Sequence, residues 1–219
     1  MSNFYRGEQN KKYTLDESVF EKIDTPEKAY WLGYIIADGG VEYKPSRKLV
    51  INIKESDSGH LGKFRDFIKG DIPVKIYGEY KSPRATVRIC RRKIVSDLEK
   101  FGVCQNKSNS IRLPKIPKRY MPDCIRGIYD GDGCLHKDKK GQYRLSFYGG
   151  DSGLLRDISD YIAKNLQLKE RKVMKTGDIK YSSHAIVYGG TQQASKILNH
   201  MKVNGDEPSL ERKHTMEVI

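Results

Sequence analysis

With 219 residues, 37% hydrophobic and 32% charged, the chain can form one sizeable domain or two smaller ones and is too apolar for a disordered polymer. Lysine and arginine number 41 against 28 aspartates and glutamates, and the surplus of +13 favours a polyanionic partner, nucleic acid foremost. No apolar run approaches the ~18 residues of a membrane span, so no membrane association is expected. The N-terminus carries no apolar stretch of the kind a secretion signal needs. Cys90, Cys104, Cys124 and Cys134 form no CxxC pair, which argues against zinc and suits reduced thiols inside a cell.

Residues 1–24, with Lys11, Lys12 and Tyr13, read as an N-terminal extension, either an extra arm toward the partner or a brace for the fold. Thr25-Pro26-Glu27 starts a helix, with Thr as N-cap and Pro at the first helical position. That helix carries WLGYIIADGG at 31–40. Residues 49–54 alternate apolar and polar, the period of a half-buried strand. Leu61, Phe64 and Ile68 fall at i, i+3 and i+7, so a helix there covers one face of a sheet. Alternation returns at 74–81 and 85–91, and a helix over 92–101 follows. Pro114, Pro117 and Pro122 with Lys115, Lys118 and Arg119 make residues 113–120 a stiff basic linker.

The order then begins again. Met121-Pro122-Asp123 opens a helix carrying IRGIYDGDGC at 125–134, residues 143–148 alternate, and 192–201 form a closing helix. Asp38 and Asp132 are 94 residues apart, and the same offset links Leu49, Ile51 and Ile53 to Tyr143, Leu145 and Phe147, and Leu61, Phe64 and Ile68 to Leu155, Ile158 and Ile162. Further on, Ala85, Val87 and Leu98 match Ala185, Val187 and Leu198 at an offset of 100, as a six-residue loop insertion would give. The chain is therefore read as two copies of one α+β unit, 25–112 and 121–219.

Gly33 and Ala37, and likewise Gly127 and Gly131, lie four residues apart on one helix face. Glycine inside a helix costs about 1 kcal/mol, which makes sense if the two helices pack closely on each other. Asp38 and Asp132 each precede a glycine at the negative end of a helix dipole, where an acid is disfavoured by roughly 0.3–1 kcal/mol. Parallel helices would also bring the two carboxylates together. Cations relieve both penalties, and carboxylates with few other protein ligands suit Mg²⁺. Two such exceptions at equivalent places mark a site.

These segments resemble the LAGLIDADG family of homing endonucleases, in the stretches Trp31-Leu-Gly-Tyr-Ile-Ile-Ala-Asp-Gly39 and Ile125-Arg-Gly-Ile-Tyr-Asp-Gly-Asp-Gly133. The second keeps the motif's earlier acid as Asp130, where the first has Ile36. The resemblance runs from about Thr25 to Lys213. It implies a monomer of two pseudo-symmetric αββαββα halves, packed through the motif helices, whose antiparallel sheets form a saddle on double-stranded DNA. It implies that Asp38 and Asp132 hold divalent metal, Mg²⁺ with Mn²⁺ as a substitute, assisted by the carbonyls of Ala37 and Gly131. It places a lysine near the reacting phosphate in each half, Lys107 (with Lys115 as rival) and Lys213, and gives Glu55 a role in ordering water. Each half would cut one strand of a long asymmetric site, leaving 3′ overhangs, as in intron mobility. The expected setting is the cytoplasm of a bacterium or a phage-infected cell, or an organelle. An intron-splicing maturase and a non-catalytic DNA-binding regulator are the other readings of this fold.

The strand faces agree with a duplex. The faces turned from the core carry Lys48, Asn52 and Lys54, then Lys75, Tyr77 and Lys81, then Arg84, Thr86 and Arg88. The second copy offers Arg144, Ser146 and Tyr148, then Arg171, Lys175, Lys180, Tyr181, Ser183, His184 and Tyr188. Arg, Asn and Ser can read base edges and Lys can neutralise phosphates.

Overall fold

The computed structural model describes residues 12–78, 82–150, 152–176, 183–202, 205 and 207–216. Lys81, Lys180 and Tyr181 lie outside the described residues, as do residues 1–11. The elements come in the same order twice. The first half holds α1 (Pro26–Asp38), β1 (Gly39–Glu42), β2 (Lys48–Lys54), α2 (Ser58–Phe67), β3 (Lys75–Tyr77), β4 (Arg84–Ile89) and α3 (Arg92–Glu99). The second holds α4 (Met121–Asp132), β5 (Gly133–Lys137), β6 (Tyr143–Gly149), α5 (Ser152–Leu166), β7 (Met174–Thr176), β8 (Ser183–Gly189) and α6 (Thr191–His200). Each half builds one antiparallel four-stranded sheet, in the orders β1-β2-β4-β3 and β5-β6-β8-β7. The linker region is packed down: Pro114 is buried, and Arg112 and the Leu113 amide both bind Asp157 of α5.

The helices begin as the sequence dictates. The Thr25 hydroxyl accepts from the Lys28 amide, and Pro26 stands in the first turn. In α4 the Tyr120 cap makes no side-chain bond, and Pro122 alone marks the start. Eight consecutive residues of α1, Ala29 to Ile36, are buried, so this helix is enclosed on every side. Its aromatic residues Tyr30, Trp31 and Tyr34 pack around His60, with Phe64 and Phe67 beyond Trp31.

The two motif helices meet backbone to backbone. A Cβ on Gly33 would stand 1.9 Å from the Cys124 carbonyl oxygen, and one on Gly127 would stand 2.0 Å from that of Tyr30. At the far end a Cβ on Gly131 would fall 2.3 Å from the Ala37 Cβ. The small residues are therefore a steric requirement of the interface. Gly39 and Gly133 end the two helices as their C-caps, in extended backbone with φ of −86° and −98°. Glycine is needed there because a Cβ would strike the preceding turn, 2.7 Å from Ile35 Cγ2 and 2.1 Å from Tyr129 Cδ2.

Sheet register corrects the repeat. Ile51 pairs with Val87 and Ile53 with Ala85, whereas Leu145 pairs with Tyr188 and Phe147 with Ile186. The offset between β4 and β8 is thus 101, and a one-residue slip turns every side chain to the other face. Tyr188 and Ile186 belong to the core, fully buried, while Ala185 and Val187 point outward with Tyr148 and Ser146.

Gly127→Ala puts a methyl group against two backbone atoms, at 2.0 and 2.7 Å, that cannot yield without parting the helices. The expected loss is about 3 kcal/mol or more in urea unfolding. Gly62→Ala, within α2 and with nothing inside 4 Å of the added atom, should instead stabilise by up to ~1 kcal/mol. Equal midpoints for the two variants would remove the close approach as the reason for glycine.

Candidate active site

Asp38 and Asp132 end the two helices, side by side because the glycine faces are. The Gly131 backbone lies so close to α1 that a Cβ there would be 3.4 Å from an Asp38 carboxylate oxygen. Burial raises the Asp38 carboxyl above its usual range, opposed by Lys213, by a hydrogen bond from the Tyr34 hydroxyl one turn earlier, and by Arg84 and Lys107. Burial, and next the charge of Asp38, pushes Asp132 up to about 6, against the pull of Lys107 and Lys213. The two acids form one coupled centre.

Both predicted lysines are at this centre. Lys107, in a short 3-10 turn after α3, is only 5% exposed. Its ammonium is drawn most by Asp132 and next by Asp38. Of the two acids Lys213 feels Asp38 more than Asp132. The strongest attraction on Lys213 is Asp130 of its own half, and Asp38 and Asp132 follow. Burial lowers both ammonium groups, which makes their charge costly unless an anion faces them. Lys115, the rival of Lys107, is exposed on the linker. Glu55 is exposed and does not line the cavity of about 320 Å³ beside Asp38, which is bounded by Lys54, Asp57, Arg84, Arg212 and Lys213.

The motif's earlier acid has a separate task. Asp130, 1% exposed, accepts from the Tyr30 hydroxyl at 2.8 Å and the Leu210 amide at 2.7 Å, and meets His214 Nε2 at 2.6 Å. His60 Nε2 lies 2.8 Å from the same Tyr30 oxygen, and burial depresses this imidazole to about 4, so it stays neutral. Asp130 therefore pins residues 210–214 onto the helix pair. From that segment Lys213 reaches the Gly131 carbonyl at 2.8 Å, and Arg212 binds Asp57 of the first half at 3.0 and 2.5 Å. Sequence reasoning missed Tyr34, Asp57 and Arg212, and it placed Arg84 on the duplex-facing strand surface without linking it to Asp38. Only Tyr34, four residues before Asp38 on one helix face, left a readable signal.

Among the described residues no group of three His, Cys, Asp or Glu side chains converges. The donors are two carboxylates with the carbonyls of Ala37 and Gly131 in the last helical turns, where such groups lack intrahelical partners. The Gly131 oxygen already accepts from Lys213 and keeps one lone pair. An incomplete set of oxygens fits a hard divalent cation that retains water and takes further ligands from a phosphate.

On the first sheet Asn52, Lys54, Lys75, Tyr77, Arg84 and Arg88 share the outward face and are exposed. Arg84 Nε donates to Asn52 at 3.0 Å, Arg88 donates to the Tyr77 hydroxyl at 2.9 Å, and Lys48 pairs with Glu42 at 2.8 Å. Thr86 shares this face but is buried among its neighbours. The second sheet departs further from expectation. Arg144 and Tyr148 are outward and exposed, and Arg144 pairs with Asp138 at 3.1 Å. Ser146 is outward by its pleat yet 1% exposed. Tyr188 is in the core, and Arg171, held by Gln193 at 2.5 Å and lying over the Tyr188 ring, sits behind the sheet. The register slip also turns Lys175 and His184, cross-strand partners, to the helix side, where they line a groove along α5.

No protein-family model and no curated protein matches the chain. Solved structures do. I-DmoI in complex with DNA and Ca superposes with a TM-score of 0.58 at 18% identity, over 90% of this chain and 96% of that one. I-AabMI bound to uncleaved DNA gives 0.56 at 13% identity over 85% of each, and the N-terminal LAGLIDADG domain of DUF199/WhiA gives 0.56 at 14% over 87% and 91%. The chain has the LAGLIDADG fold. In this LAGLIDADG scaffold the motif helices carry the two acids at their ends, as the structure shows for Asp38 and Asp132.

Asp132 rises from its usual 3.8 to about 6 on folding, so between those values the native state holds the proton more tightly than the unfolded chain. Stability therefore falls as pH rises through that window and is flat above it. Asp132→Asn removes the effect and should stabilise by about 2–3 kcal/mol at pH 7, a gain in Tm of roughly 5 °C, shrinking to nothing near pH 4. Calorimetry at both pH values checks this, and a lower Tm for the variant at pH 7 would contradict it.

Proposed function

We propose that this protein is a site-specific endonuclease of double-stranded DNA that works as a monomer and hydrolyses one phosphodiester in each strand. The observation that carries the reading is the pair of equivalent acids, one per half, brought together half-buried where the motif helices meet, with one lysine of each half beside them. Two like charges held together and partly desolvated are a cost for a protein that only binds DNA or RNA, so a regulator or a maturase leaves them without a reason. Fold neighbours solved with DNA, and with Ca or Mn, support the substrate class and a divalent metal.

Mg²⁺ or Mn²⁺ held by Asp38 and Asp132, with the carbonyls of Ala37 and Gly131, would supply an activated water and neutralise charge on the phosphate. The chain's own groups do the rest. Tyr34 fixes the Asp38 carboxylate by its hydrogen bond. Lys107 and Lys213, already desolvated, stabilise negative charge gathering on the phosphoryl oxygens. The outward sheet faces hold the duplex, with Lys54, Lys75 and Arg88 suited to phosphates and base edges. Because the two faces differ at almost every position, the DNA site is asymmetric. Cuts by paired centres across one minor groove leave 3′ overhangs.

A randomised duplex library incubated with Mg²⁺ should yield one enriched asymmetric site. On that duplex, Asp38→Asn or Asp132→Asn should slow cutting by at least ~100-fold, more than loss of an outer-shell partner costs, with binding retained. Undiminished cleavage by the double variant would refute the reading.

A further inference from the structure

The two outward sheet faces differ in kind beside the acid centre. In the first half, the cross-strand row nearest the acids is Lys54, Arg84 and Tyr77, with Lys54 and Arg84 lining the cavity beside Asp38. The equivalent row of the second half is Tyr148, Ala185 and Met174. Tyr148 is 37% and Met174 48% exposed, among the few large apolar side chains on the described surface, and Ala185 is buried between them. The next row inward along β6 and β8 is Ser146 and Val187, again uncharged. Arg144, four residues from Tyr148 on β6, is tied to Asp138.

Resting on the endonuclease reading, we propose that the second sheet recognises its half of the duplex through thymine C5-methyl groups, with Tyr148 and Met174, and Val187 of the next row, as the contacting side chains. The patch is continuous with the acid centre, since β5 begins at Gly133 directly after Asp132 and pairs with β6. By pseudo-symmetry it occupies the place that Lys54 and Arg84 hold in the other half. In the major groove thymine alone presents a methyl group, and an apolar surface is its complement. A row of two cations and a tyrosine in one half, against a row with no charge in the other, makes the two half-sites chemically different. The first is read by hydrogen bonds and the second by shape and methyl burial.

The test uses the duplex enriched by the full chain. The half-site under the first sheet is the one whose base preference relaxes in Arg84→Ala. Thymines are then replaced by deoxyuridine in one half at a time, which removes methyl groups and leaves every hydrogen-bonding edge intact. Binding is measured with Ca²⁺. Replacement in the other half, under the second sheet, should weaken binding by about fourfold per buried methyl, and Met174→Ser should abolish that sensitivity. Replacement under the first sheet should leave affinity unchanged. Equal tolerance of deoxyuridine in both halves, or a second half-site without thymine, overturns the proposal while leaving the endonuclease reading intact. Unchanged duplex affinity in Tyr148→Ser and Met174→Ser also overturns it and assigns the patch to a protein. Failure to enrich or bind any duplex defeats the endonuclease reading itself.

Discussion

The structure depends on how closely two helices can approach. Carbonyl oxygens of Cys124 and Tyr30 occupy the space where side chains of Gly33 and Gly127 would begin. This contact is costly to make, since glycine weakens each helix by about 1 kcal/mol. Its return is positional. Helices in backbone contact cannot rotate or slide independently, so Asp38 and Asp132 are held against each other despite their charge. A wider interface would let the carboxylates separate and water reach them, removing the burial that raises both and the charge of Asp38 that adds to the rise at Asp132.

Electrostatics then explains the surroundings of the acids. Two half-buried carboxylates side by side call for positive charge, and the protein supplies it from both halves. Lys107 comes from a turn behind α3 and Lys213 from the C-terminal segment. That segment is held by Asp130, whose oxygens are taken up by Tyr30, Leu210 and His214. The two acids of the second motif thus divide the work: Asp132 faces the site, and Asp130 fastens the strap that delivers Lys213. The first motif has Ile36, a buried apolar residue, in the earlier position.

Much of this was legible in the sequence where the physics is local or repeated. The glycine spacing, the helix-ending acids and the strand alternation of 49–54 and 143–148 all follow from periodicity. The face of β8 was not legible, because Ala185 and Val187 imitate Ala85 and Val87 while the true partners, Ile186 and Tyr188, are set by pairing with β6. Lys107 could not be told from Lys115 by position, since both follow α3. Burial against the acids separates them, and that is a tertiary fact. The partners of Asp130 lie about eighty to a hundred residues away along the chain, beyond the reach of any local pattern.

The proposed activity needs one metal-holding centre built by both helices. The most direct measurement is anomalous diffraction from crystals of the full chain on its enriched duplex with Mn²⁺. Anomalous peaks coordinated by the carboxylates of Asp38 and Asp132 and by phosphate oxygens of the two strands are the expected result. Peaks confined to other residues, or DNA lying on the helical faces instead of the outward sheet faces, would contradict it.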